Sequence, residues 1–257
     1  MKSLKKLLKT YQINELKRLS TNGYSLKALS ERFGVSKSTV YYHAKDCCRK
    51  MSKINLNLLN DSEKGYLTGL FTGDGSFNKG RKEHRFFVRF ALDAKRDKDV
   101  ALRLTHLFGK AGKKISLIPY KSNIIAKTCS KEIVIYIQKY VEYVQGCKKL
   151  RLLSEQSEDF KYGFIAGLID SDGHVHKHLG TEIKTVSIQI FNSTIDILEG
   201  LSISANTKVR DAPSNSFSKK PRFEIYISSA EAKRHKNKIP SVKITRYLTS
   251  QLFPEKA

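Results

Sequence analysis

The sequence predicts an α+β chain, in which a small all-α helix-turn-helix domain precedes a tandem pseudo-dimer. Three observations carry this expectation. A nine-residue frame occurs twice, as Leu67-Thr68-Gly69-Leu70-Phe71-Thr72-Gly73-Asp74-Gly75 and as Ile165-Ala166-Gly167-Leu168-Ile169-Asp170-Ser171-Asp172-Gly173. The helix and strand patterns that follow the first copy return in the same order after the second. Ahead of both, residues 11–48 read as amphipathic helices interrupted by one glycine.

Composition sets the outer bounds. The 257 residues are 40% hydrophobic and 28% charged, which describes a folded rather than a disordered protein. Lys and Arg number 48 against 24 Asp and Glu, so the chain carries +24 and calls for a polyanionic partner. That excess is uneven: residues 1–53 hold +10, 54–153 hold +11 and 154–257 hold +3. A uniformly solubilising surface does not explain the bias. These three segments are the predicted domains: the helix-turn-helix extension and two half-domains.

No stretch approaches the roughly 18 apolar residues that a membrane span requires, so no membrane partner is expected. Lysines interrupt the apolar residues of the first nine positions, which suits a short amphipathic helix and not a signal peptide. Cys47, Cys48, Cys129 and Cys147 lack C-x-x-C spacing. Free thiols in a reducing intracellular compartment (cytoplasm, nucleoid or organelle) follow.

In the first segment, Leu26, Leu29 and Phe33 form one apolar face, and Val40 with Ala44 forms the facing one. Gly34 suits the left-handed residue that ends a helix, and Ser36 suits the cap of the next. Residues 11–19 supply a supporting helix. The pattern resembles the helix-turn-helix of resolvase-type DNA-binding modules. That resemblance implies a second helix in the major groove, with Lys37, Ser38, Thr39 and Tyr42 toward DNA.

The repeat unit is longer than its motif. After Asp74, an alternating run at 85–92 puts Phe86, Val88, Phe90 and Leu92 on one face, with Arg85, Phe87 and Arg89 on the other. A helix at 97–109, strands at 113–119 and 123–128, and a helix at 130–145 complete the first half. After Asp172, strands are expected at 173–178 and 181–191. A helix follows through 195–201, capped by Asn192 or Ser193. Strands at 207–211 and 222–228 and a short helix from Ser229 close the second half. In the long second strand, Val186, Ile188 and Ile190 would face the core, opposite Thr185, Ser187 and Gln189. One face of each sheet is thus core. The other, joined by Lys208, Arg210, Arg222 and Tyr226, carries groups suited to base edges and phosphates. His174, His176 and His178 would share a strand face, which leaves zinc binding and phosphate or groove contact both open.

Gly65, Gly69 and Gly73, and Gly163, Gly167 and Ser171, recur every four residues and so line one helix face each. Glycine inside a helix costs about 1 kcal/mol relative to alanine. Close backbone approach of two helices offsets that loss. Asp74 and Asp172 would then end side by side at two helix C-termini, where macrodipoles and mutual repulsion both disfavour them. A divalent cation relieves both penalties, and Mg²⁺ prefers such oxygen ligands.

Both motifs resemble the signature of the LAGLIDADG homing endonucleases, and the chain is similar to the single-chain, two-motif class over residues 60–250. The resemblance implies an αββαββα fold in each half, with the motif helices at the pseudo-twofold interface. It implies Mg²⁺-dependent (or Mn²⁺-dependent) cleavage of both strands of double-stranded DNA, by a monomer, at a long pseudo-palindromic site. It assigns Asp74 and Asp172 to catalysis and metal, with Gly73 and Ser171 beside them. Lys95 matches a lysine that the family places past a long strand, and Asn192-Ser193 stands at the corresponding place in the second half. Asp170 is read as structural.

Two alternatives share the scaffold. An RNA-binding maturase would take host intron RNA as partner, and a DNA-binding regulator would use the helix-turn-helix with a degenerate body. Both motifs keep their eighth-position aspartate, which favours the nuclease. An initiating Met and the lack of a terminal His-Asn pair argue against an intein.

Overall fold

The computed structural model describes residues 8–22, 24–45, 47, 54–79, 86–144, 146–151, 153–211 and 220–252. They form two compact units that divide between residues 52 and 53. The first contains α1 (Thr10–Thr21), α2 (Leu26–Phe33) and α3 (Lys37–Ala44). Gly34 adopts φ 62° and ends α2, while the Ser36 hydroxyl accepts from the Thr39 N–H and starts α3. Leu16, Leu19, Leu29, Phe33, Val40 and Ala44 make a separate small core. The predicted helix-turn-helix is present, with its turn built as the sequence suggests.

The second unit repeats one plan. Its first half runs α4 (Asp61–Asp74), β1 (Gly75–Lys79), β2 (Phe86–Asp93), α5 (Lys98–Lys110), β3 (Ser116–Tyr120), β4 (Asn123–Cys129) and α6 (Lys131–Tyr140). A small hairpin, β5 (Val141–Val144) with β6 (Cys147–Leu150), separates the halves. The second half runs α7 (Glu158–Asp172), β7 (Gly173–Val175), β8 (Thr181–Thr185), α8 (Ile188–Gly200), β9 (Ala205–Arg210), β10 (Arg222–Ile227) and α9 (Ser229–His235). A last helix, α10 (Val242–Leu252), has no counterpart in the first half among the described residues. The sheets have matching antiparallel orders, β1-β2-β4-β3 and β7-β8-β10-β9. One apolar core runs through both halves.

The α4–α7 contact organises this unit. A Cβ at Gly65 or Gly69 would strike the carbonyl oxygen of Phe160 or Phe164, and one at Gly163 or Gly167 would strike that of Ser62 or Tyr66. The two backbones therefore touch along the four-residue stripe. Flanking side chains, including Tyr66, Leu70, Phe71, Phe164 and Leu168, are fully or almost fully buried. Each helix has a side-chain cap, Asn60 with Glu63 in a reciprocal box on α4 and Ser157 on α7.

Four expectations need correction. The helix at 130–145 ends at Tyr140, and Val141 turns into the hairpin. The strand at 173–178 stops at Val175; His178 lies in a 3₁₀ turn with φ 69°, so the three histidines do not share a strand face. The strand at 181–191 stops at Thr185, because the Ser187 hydroxyl accepts from the Ile190 N–H and caps α8. The alternation of Val186, Ile188 and Ile190 imitated a strand, but Ile190, Thr194 and Ile197 are buried at helical spacing. Asn192 and Ser193 lie inside that helix, so neither caps it. Arg85 and Cys48 lie outside the described residues.

Gly69→Ala is expected to cost well over 2 kcal/mol in thermal or urea unfolding, because backbone atoms of the opposite helix cannot yield. Gly109→Ala on α5, where nothing lies within 4 Å of the added Cβ, should instead gain about 0.5–1 kcal/mol.

Candidate active site at the paired helix ends

Because α4 and α7 meet through glycine, their C-terminal aspartates meet too. A Cβ on Gly73 would sit 3.0 Å from Asp172 Oδ2. Burial raises the Asp74 pKa to about 7, and the charges of Asp172 and Asp97 push it the same way. Lys243 and Lys148 oppose the shift. Burial also raises the Asp172 pKa, and the charges of Lys148 and Lys243 pull it back down.

Two lysines flank the carboxylates. Lys148, on β6, donates its ammonium to the carbonyls of Phe71, Thr72 and Gly73 at 2.8, 2.7 and 2.8 Å. Lys243, in the first turn of α10, donates to the carbonyls of Ser171 at 3.2 Å and Gly173 at 3.0 Å. Each thus satisfies carbonyls that a helix end leaves without a partner, where a cation is also favoured by the dipole. Burial lowers Lys148 to about 8, while Asp172 and Asp74 pull its pKa back up. Lys243 also lies 3.9 Å from Asp97, the residue preceding α5.

Asp170 fixes Lys243. Fully buried, its carboxylate accepts from Tyr66 Oη on α4 (2.9 Å), Ser241 Oγ (2.6 Å) and the N–H groups of Val242 (2.8 Å) and Lys243 (3.0 Å). It holds the N-terminus of α10 against α7, in agreement with its structural reading. The hydroxyl of Thr72, at the matching place on α4, donates back to the Thr68 carbonyl of its own helix.

Two clefts open beside Asp172. One, of about 720 Å³, is lined by Asp97, Ser171, Asp172, His174 and Lys243 among others. The second, of about 370 Å³, is lined by Thr72, Gly73, Lys148, Asp172, Thr185, Ser187, Lys220 and Arg222. A larger hollow between α5 and α10 holds Asp99 and Arg246, already paired with each other at 2.9 Å, and lies away from the carboxylates.

Residues 149–246 match the family model for homing endonucleases. That match contains the second motif and Asp172. Residues 4–46 match the helix-turn-helix domain of resolvase. Among solved structures, the chain is similar to mesophilic variants of the homing endonuclease I-DmoI. That match has 14% identity and a TM-score of 0.52, over 70% of this chain and 95% of that one. It is similar also to I-DmoI in complex with DNA and Ca, with 15% identity and a TM-score of 0.54, over 72% and 92%. I-DmoI in complex with DNA and Mn gives 14% and 0.51, over 70% and 96%. At these identities the likeness establishes the fold, and it spans both halves. No curated protein sequence matches the chain.

The second unit brings some predicted residues together and separates others. Asp74 and Asp172 meet. Lys95 is exposed in the β2–α5 turn, where its N–H donates to Asp93 Oδ1 at 2.8 Å. The corresponding turn of the second half is Val186-Ser187, not Asn192-Ser193. The Gly73 and Ser171 carbonyls, predicted beside a metal, already accept from Lys148 and Lys243. Any cation there rests chiefly on the two side-chain carboxylates.

On the sheets, Arg89 is exposed and Phe87 half-buried beneath the Lys127 ammonium, 4.2 Å from its ring. Lys208, Arg210, Arg222 and Tyr226 are exposed, as expected of a solvent-side face. Thr185 instead shares the strand phase of buried Thr181 and Ile183. With Ser187, it borders the smaller cleft beside Asp172. Gln189 is exposed on the first turn of α8. The solvent-side residues of β8 are Glu182 and Lys184. His176 pairs with Glu182 at 3.4 Å, and Lys184 holds the same carboxylate at 2.7 Å. Among the described residues no group of three or more His, Cys, Asp and Glu could hold a metal ion, which leaves the zinc reading without support. In the helix-turn-helix, Lys37, Ser38 and Tyr42 are exposed and Thr39 is half-buried, its hydroxyl 2.9 Å from that of Ser36.

Asp74 makes a stability prediction. Its folded pKa, about 7, exceeds the usual carboxylate value, so between roughly pH 4 and 7 the folded state binds a proton that the unfolded state has lost. The metal-free protein should therefore lose stability as pH rises across that window. Asp74→Asn should flatten the dependence and raise Tm at pH 7.5 by about 3 °C, as read by calorimetry.

Proposed function

We propose that the chain is a monomeric, site-specific endonuclease that cuts both strands of double-stranded DNA with Mg²⁺ or Mn²⁺. The observation that carries this reading is the pair of carboxylates forced together at the α4 and α7 ends, with Asp172 inside the segment that matches the homing endonuclease model. The donor set fits a divalent cation: two adjacent oxygen-bearing side chains, each disfavoured as a lone anion, with raised proton affinity. Asp74 and Asp172 would hold it, and when bound it would supply charge neutralisation at a phosphate and activation of a water.

The remaining groups act from their own chemistry. Lys148, with a pKa near 8, exchanges a proton close to neutral pH and places positive charge beside the carboxylates. Lys243 places a second positive charge there from the α10 side. Arg89, Lys127, Lys184, Lys208, Arg210 and Arg222 offer phosphate and base contacts on the two sheets. Lys95 and Phe87 would extend the first surface, and Thr185, Ser187 and Gln189 the second. The helix-turn-helix adds a recognition helix through Lys37, Ser38, Thr39 and Tyr42. We assign residues 1–53, 54–153 and 154–257 to the extension and the two half-domains.

Incubation with Mg²⁺ and either a randomised duplex library or the fused sequence flanking the reading frame should yield discrete double-strand cuts. Asp74→Asn and Asp172→Asn should bind DNA without cutting, and retained cleavage by either would refute a shared site. Lys148→Met is expected to slow cleavage about 100-fold at unchanged DNA affinity. Tight binding with no cutting, followed by binding to intron RNA, would favour the maturase.

Removing residues 1–52 should weaken DNA binding and flatten its dependence on salt, because phosphate contacts are lost. An unchanged slope of affinity against salt concentration would take the extension out of the interface.

A further inference from the structure

The two sheets have one backbone plan and opposite surface chemistry. On the solvent side of the first, β2, β4 and β3 align Ala91 with Ile125 and Ile125 with Ile118. This makes an apolar row across three strands. Ile118 is 47% exposed, and Ala91 is exposed while Ile125 is half-buried. On one side the next row is Arg89, Lys127 and Ser116; on the other it is Asp93, Asn123 and Tyr120.

The matching place in the second sheet is different. Phe90 and Ile183 both pair with the glycine that follows a motif helix, so Ala91 corresponds to Lys184. The row there is Lys184, Glu224 and Lys208. Glu224 is also held by Arg210 at 2.7 Å. Nothing in the shared fold forces this contrast, because both rows face away from the core.

We propose that Ala91, Ile125 and Ile118 read thymine methyl groups, so that the half-site under the first sheet carries thymine at two or three set positions. The C5 methyl is the apolar group that a base pair presents in the major groove, and it is unique to thymine. An aliphatic row flanked by Arg89 and Lys127 suits a surface that is locally apolar within a polyanion. A second copy of this chain would bring further positive charge against those cations, which disfavours self-association through this face. In the second sheet the exposed Lys184 and Lys208 suit hydrogen bonding to base edges, while Glu224 between them is buried and held by Arg210. The inference rests on the nuclease reading above and deepens it to sequence preference.

Deoxyuridine lacks only the methyl of thymidine and keeps its pairing edge. Substituting it at single thymines of the mapped site, with binding measured by fluorescence anisotropy, isolates the methyl. Two or three thymines on one side of the cut should each lose about fourfold in affinity, the scale of one buried methylene. Thymines on the other side should respond by less than twofold. In Ile118→Ala and Ile125→Ala the sensitivity should fall at the thymine each residue touches. Ile118 is solvent-exposed, so its variant tests the idea without threatening the fold. A protein that cuts its site yet ignores the methyls, or keeps full sensitivity in both variants, overturns the inference and leaves the nuclease reading standing. A change in oligomeric state caused by Ile118→Ala, with an unaltered methyl response, would overturn it in favour of self-association. A protein that binds no duplex overturns both.

Discussion

Backbone contact between α4 and α7 is the constraint on which the second unit depends. It exists because Gly65, Gly69, Gly163 and Gly167 present no side chain where the helices cross. Conventional helix packing would separate the axes by 8–10 Å and the two helix ends with them. The stripe of small residues removes that spacing. One feature of composition thereby sets the position of both halves, the continuity of their core and the location of the charged groups.

Closeness at the crossing carries an electrostatic consequence at its end. Two aspartates share a place where helix dipoles already disfavour anions, and the fold compensates with Lys148 and Lys243. These lysines arrive by different routes: one from the hairpin between the halves, the other from a helix tied down by Asp170. The pseudo-dimer is therefore symmetric in its motif helices and sheets but asymmetric in what supports its charge centre. The contrast between the Ala91 and Lys184 rows extends that asymmetry to the sheet surfaces, as a continuous chain permits and a homodimer does not.

Much of this was legible in the sequence because the signals were periodic. The four-residue glycine spacing identified the crossing, and the repeated frame placed Asp74 against Asp172 before any coordinates. The Gly34 and Ser36 pair located the turn of the first unit. Alternation alone was less dependable: Val186, Ile188 and Ile190 read as a strand until the Ser187 cap decided for a helix. Lys148 and Lys243 were not singled out, because their roles arise from long-range contacts and no local spacing marks them. In an excess of 48 basic residues, two lysines at helix ends carry no distinguishing pattern. The nearest usable signal was the run Gly146-Cys147-Lys148-Lys149, a turn glycine before basic residues just past the helix expected at 130–145. Lys95 was chosen by position after a strand, and it is exposed in the turn that follows β2.

The central claim is that the crossing forces Asp74 and Asp172 into a site that must hold either a proton or a cation. Proton release on adding Mg²⁺ to the protein in weakly buffered solution at pH 7 tests it most directly. With the Asp74 pKa near 7, the account predicts release of about half a proton per chain. Release should diminish toward pH 8.5 and vanish in Asp74→Asn. Mg²⁺ binding with no proton release at pH 7, or equal release from Asp74→Asn, would contradict it.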